Sequence, residues 1–151
     1  MKYFLILLVI ALALAPLTHF FPSKRQRQLA RLREYAAVHG LFVEFRDLPG
    51  QRPGAPAEQV IYYGKRLPAS RGERRRQRAW LRDGEGWRGL SHRDPAPRAG
   101  AAVPPQVLAL GEDEGSCGVY WKEDGVIADV EAIVDAISAW QAPAGLPNQQ
   151  A

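Results

Sequence analysis

Residues 118–140 read GVYWKEDGVIADVEAIVDAISAW, a short β-prone run followed by a helical one. In the second part Val126, Ile127, Val130, Ile133, Val134, Ile137 and Trp140 recur at spacings of three and four, which places them on one face of a helix. Asp129, Glu131 and Asp135 keep to other positions. Asp124 is placed to cap the start of this helix and Pro143 to stop it. So wide an apolar face needs an apolar surface to cover, and GVYWKE (118–123), β-branched and aromatic, supplies a strand just before it. The fold expected is α+β, a small and mostly antiparallel sheet packed by a C-terminal amphipathic helix.

Working outward, VLAL (107–110) reads as the strand before GVYWKE, across the acidic turn GEDEGS. RAWLRDGEGWRGL (78–90) has turn residues between two tryptophan-bearing arms and reads as a hairpin. LFVEF (41–45) and VIYYG (60–64) are two further strands able to pair antiparallel, separated by the Gly- and Pro-rich DLPGQRPGAPAE. The basic stretch 65–78 and the connector 91–106, which carries four prolines, are expected as flexible loops within an α+β unit over 40–141. Residues 142–151 are expected to be a disordered tail.

The amino-terminal third has a different character. From Tyr3 to Phe21 no side chain carries a formal charge with His19 neutral, and a helix of those 19 residues would span about 28 Å, close to the bilayer hydrocarbon thickness. A cleaved signal is the rival reading, through Ala11-Leu12-Ala13 or Ala13-Leu14-Ala15. The second is followed by Pro16, and export disfavours the cations beyond Phe21. Residues 1–22 are therefore expected as a transmembrane anchor. Lys24, Arg25, Arg27, Arg31 and Arg33 crowd its far flank, which predicts a single-pass inner-membrane protein with its N-terminus outside and its C-terminal domain cytoplasmic. These five cations head a basic helix over 23–39. Ser23 and Gln26 match the capping box, Leu29, Leu32 and Ala36 share one face, and Gly40 stops it. The basic side is expected to meet anionic lipid headgroups.

Charge is divided along the chain. Residues 22–98 hold 18 Lys/Arg against 8 Asp/Glu, whereas residues 99–151 hold one lysine against 8 acids. A basic half next to an acidic half suits an anionic surface, whether lipid or nucleic acid, or packing of one half on the other. Arg71, Arg74, Arg75, Arg76 and Arg78 form a candidate anion-binding cluster beside Trp80 and Trp87. This makes a nucleic-acid binder using segment 71–88 the alternative function. No recognised nucleic-acid motif accompanies them.

Other motifs fall away on physical grounds. Gly84-x-Gly86-x-x-Gly89 has the dinucleotide-fingerprint spacing, but Ser91 to Pro95 leave no room for the helix whose N-terminus would hold a pyrophosphate. Cys117, in a GSCG stretch expected to be flexible and exposed, has no histidine or acid spaced to activate it. The three histidines have no metal-ligand spacing, so neither a catalytic residue, a metal nor a cofactor is assigned. The stretch FFPSKRQRQLARLRE (20–34) resembles the start of the preprotein translocase accessory subunit YajC. The order of anchor, basic helix, strand after Gly40-Leu41 and late YW strand with closing helix is similar to that of small proteobacterial single-pass proteins labelled YajC-like. The anchor, the basic flank and the lack of an assigned active site lead to the expectation of a non-enzymatic accessory protein that acts by binding a partner, another membrane protein or an inner-membrane complex such as the secretion machinery. The ending VYWKEDG and its helix depart from the YajC pattern.

Overall fold

The strands form one antiparallel sheet because each pair that meets is joined by a short reversal or matched in apolar pattern. A computed structural model describes residues 2–14, 22–51, 59–68, 76–91 and 94–141. The chain divides into two units, Met1–Ala30 and Arg31–Ala151. The first holds helix α1 (Lys2–Leu14) and the start of helix α2 (Lys24–Val38). The second holds six strands and helix α3 (Ile127–Gln141): β1 (Phe42–Asp47), β2 (Gln59–Arg66), β3 (Arg78–Asp83), β4 (Gly86–Gly89), β5 (Val107–Glu112) and β6 (Ser116–Trp121).

The expected transmembrane anchor is overturned. α1 has 13 residues, about 20 Å at the helical rise, against about 30 Å of hydrocarbon. Among the described residues no helix is long and apolar enough to cross a membrane. The apolar run continues in the sequence beyond the described helix. The single-pass inner-membrane placement, with the N-terminus outside and the domain cytoplasmic, loses its support with the anchor. Residues 15–21, part of the expected span, lie outside the described residues.

α2 begins and ends by its own side chains. The Ser23 amide donates to Gln26 Oε1 at 2.8 Å and the Gln26 amide to Ser23 Oγ at 3.2 Å, which is the capping box. At the other end Gly40 takes φ +79°, the Leu41 amide donates to the Ala36 carbonyl and the Gly40 amide to that of Ala37, closing a Schellman motif. Leu32, Ala36 and Leu41 go into the core.

The sheet order is β1-β2-β6-β5-β3-β4, antiparallel throughout. The β1–β2 hairpin forms one side and the β3–β4 hairpin, turning at Gly84 with φ +59°, the other. The β5–β6 hairpin closes the gap between them. One face carries Ile61, Tyr63, Trp80, Leu110, Val119 and Trp121, and on it pack Leu32 and Ala36 of α2 with Val130, Ile133 and Ile137 of α3. Trp140 meets Trp80 edge-on at 5.7 Å. α3 starts differently from expectation: Asp129, not Asp124, takes the Val126 amide at 2.7 Å, and Val126 and Ile127 stay exposed. The described part of the connector, residues 94–106, contains a 3-10 helix (Arg98–Ala101). It is tied down by Trp80 Nε1 to the Asp94 carbonyl, Trp87 Nε1 to Gly100, and Arg82 to the carbonyls of Pro104 and Val107. Indole and guanidinium donors from β3 and β4 thus hold a segment whose prolines cannot donate.

Candidate functional site

Both helices that pack on the sheet use the same face, so among the described residues the opposite face buries its apolar surface with the strands' own side chains. It does so with aromatic rings laid over glycines. Gly64 of β2, Gly118 of β6 and Gly111 of β5 are direct cross-strand neighbours, so three adjacent strands lack a side chain at one level of this face. A Cβ at Gly64 would come within 2.8 Å of the Phe42 ring, and one at Gly111 within 2.9 Å of Tyr120. The row is therefore a floor on which Phe42, Tyr62 and Tyr120 lie, and Val60, Ala109 and Tyr62 are buried there without a helix over them. Tyr62 is tilted against Tyr120 at 4.8 Å and against Phe42 at 5.8 Å.

A polar cluster tops these rings. The Arg46 guanidinium lies 4.0 Å from the Tyr62 ring centroid, donates through Nε to Glu44 at 2.9 Å, and donates through Nη1 to Asp113 at 3.1 Å. Asp113, in the β5–β6 turn, also accepts the Gly115 and Ser116 amides at 2.8 and 2.6 Å and the Ser116 hydroxyl at 2.9 Å. The Tyr62 hydroxyl is 3.2 Å from Ser116 Oγ. Burial works against the Arg46 charge, but its bonds to Glu44, Asp113 and Tyr120 outweigh that and hold it well above the ordinary arginine value. Burial likewise works to raise the Asp113 carboxyl, yet the Gly115 and Ser116 donors and Arg46 keep it below the usual range. Burial pushes the Tyr62 and Tyr120 hydroxyls up. Arg46, Asp113, Tyr62 and Tyr120 thus keep one protonation state at neutral pH. The cluster is a rigid, charge-compensated surface rather than a proton-transfer site.

A second cluster sits on the helix-covered face. Glu123 follows β6 in the left-handed region at φ +54°, with its side chain 2% exposed. It accepts Arg33 Nε at 2.8 Å, Arg33 Nη2 at 2.5 Å and the Tyr63 hydroxyl at 2.7 Å. The bond to Glu123 raises the Arg33 guanidinium, while burial and then Glu123 raise the Tyr63 hydroxyl. This fork ties α2 to the turn before α3.

The residues singled out from the sequence are distributed as follows. Lys24, Arg25, Arg27 and Arg31 are exposed along α2, whereas Arg33 is drawn inward to Glu123. Arg71, Arg74 and Arg75 lie outside the described residues. Arg76 is exposed, and Arg78 pairs with Glu112 at 2.7 Å and lies over Trp80. Trp80 is buried and Trp87 is covered by Arg82 at 4.5 Å, so neither offers a free ring face to a base. Cys117 is not exposed but sits in the core beneath the helices. Among the described residues no group of three or more His, Cys, Asp or Glu could hold a metal ion. The Arg46 cluster went unseen in the sequence because its members come from 44–46, 62 and 113–120 and meet only through strand register. A shallow cavity of about 390 Å³ also opens between Pro49, Gly50, Ala79 and Leu90. Comparison with known protein families, with curated proteins and with solved structures gave no match.

Proposed function

We propose that this protein is a non-enzymatic accessory protein that works by binding another protein through the face of the sheet opposite its helices. One observation carries the reading: α2 and α3 pack on the same face, while the other carries half-buried Phe42 and Arg46 over buried Tyr62 and Tyr120, with no described element over it. Aromatic side chains and arginine are the residue types enriched where proteins meet, because they bury large areas with few torsions to freeze. Arg46 is already oriented by Glu44 and Asp113, so little side-chain freedom would be lost on contact. Exposed Arg66 and Arg88 and the half-buried Leu81 extend the surface across β2, β3 and β4.

The test is affinity capture with the full chain, compared with Arg66→Glu and Leu81→Asp variants of unchanged melting temperature. The reading expects both variants to lose the proteins recovered by the native chain, while an Arg25→Glu, Arg27→Glu control on α2 keeps them. The opposite pattern overturns it. The likeness of residues 20–34 to YajC makes components of the secretion machinery the first proteins to look for in the captured set.

A further inference from the structure

The uncovered face is not the only unpartnered surface. β1 ends the sheet, and no described strand pairs with its outer edge. Exposed edges invite another strand, and proteins blunt them with prolines, bulges or like charges. β1 has no proline and no bulge, and its charged residues, Glu44, Arg46 and Asp47, are of mixed sign. It reads Phe42-Val43-Glu44-Phe45-Arg46-Asp47, an acid and a base placed symmetrically about a phenylalanine that is 70% exposed. Arg33 lies 5.6 Å from the centroid of that ring and still leaves it open.

We propose that the edge pairs with β1 of a second copy of this chain, antiparallel, about a two-fold axis at Phe45. Backbone bonding between antiparallel strands opposes residues of like parity, so a symmetric pair must be centred on one residue. Centring on Glu44 sets two carboxylates against each other, and centring on Arg46 sets two guanidinium groups against each other. Like charges directly opposite are destabilising. Centring on Phe45 puts ring against ring on the helix side. On the other face it puts each Glu44 opposite the second copy's Arg46. Of these three registers, only this one satisfies both faces.

The side chains are prepared for it. Asp113 holds the Arg46 guanidinium in place from its own chain, and Glu44, 46% exposed, needs only to swing from its own Arg46 to that of the second copy. A hollow of about 290 Å³ lined by Phe45, Arg46, Asp47 and Val60 lies at the end of the strand, where the second copy's Val43 would come opposite Asp47. Paired in this way, the sheets of two copies become one of twelve strands with all four sheet-packing helices on the same side, and the aromatic faces form one continuous surface. This inference concerns the edge of the sheet, which shares Glu44 and Arg46 with the proposed partner-binding face, and it stands whether or not that face binds anything.

The experiment measures the mass of the full chain by light scattering in a mild detergent, which covers the exposed apolar side chains of α1. The native chain is expected at twice its 16.8 kDa. Glu44→Arg alone and Arg46→Glu alone each turn two attractive pairs repulsive and should weaken the dimer at least about tenfold. The double reversal Glu44→Arg, Arg46→Glu restores the pattern and should restore the dimer. Because Arg46→Glu also loses Asp113 and can unsettle the fold, Phe45→Cys gives an independent reading. On mild oxidation it should link two copies, while Gly84→Cys in the distant β3–β4 turn should not. A monomeric native chain overturns the proposal. So does a dimer indifferent to both single reversals, which would point to association through α1, and so does Phe45→Cys that fails to link.

Discussion

Replacing Arg33 by alanine should destabilise the second unit far more than removal of a surface cation would. The Glu123 carboxylate is 2% exposed, and without Arg33 it keeps only the Tyr63 hydroxyl at 2.7 Å. Removing one partner of a fully buried pair costs about 3–5 kcal/mol, because the remaining charge is left without compensation. Arg33 itself is 36% exposed, so water can follow the truncated side chain inward, and we discount the figure to about 2–3 kcal/mol. For a unit of this size that corresponds to a fall in melting temperature of roughly 8–12 °C. The sharper quantity is the coupling in a double-mutant cycle with Glu123→Gln. The amide keeps the shape and the Tyr63 bond but carries no charge, so Arg33→Ala should cost about 1.5 kcal/mol less in that background. Urea denaturation followed by tryptophan fluorescence, on all four proteins, measures it. An exposed ion pair would couple by well under about 1 kcal/mol. A coupling below about 0.5 kcal/mol would mean that Arg33 is solvated rather than locking α2 to the turn before α3.

Three further expectations concern the other face and the core. Asp113 is held below its ordinary carboxyl value in the folded state, so its contribution is complete above the unfolded value near pH 4 and is lost as pH falls through the folded one. Asp113→Asn should accordingly flatten the acid limb of the stability profile and cost about 1–2 kcal/mol at neutral pH, read from denaturation midpoints across pH. Gly118→Ala should cost about 3 kcal/mol, since its Cβ would run into the Tyr63 carbonyl and the Tyr62 ring; an unchanged midpoint would refute the glycine floor. Cys117 should react with an aromatic disulfide reagent only at the rate of unfolding, and fast labelling of the native protein would contradict its place in the core.

The parts that were legible in the sequence are those set by neighbours along the chain. The capping box at Ser23 and Gln26, the stop at Gly40, the β3–β4 turn and the apolar periodicity of α3 all depend on spacings of four or less. What the sequence hid depends on register. Gly64, Gly111 and Gly118 look like three ordinary strand glycines until pairing sets them side by side. Arg33 looked like one of five topology-setting cations, because nothing local announces an acid 90 residues away. Asp124 and Asp129 are equivalent candidates for the α3 cap by composition; backbone geometry at Glu123 decides between them. Hydropathy alone carried the expected span to Phe21, whereas the described helix α1 covers Lys2–Leu14.

The central claim is that this protein meets its partner through the sheet face opposite its helices, at Arg66, Arg88 and the half-buried side chains between them. Photo-crosslinking amino acids placed singly at Arg66 and Arg88 on that face, and at Glu131 and Ser138 on the exposed side of α3, address it directly in cells. The account predicts partner adducts from positions 66 and 88 and none from 131 and 138. Adducts from the α3 positions alone would contradict it.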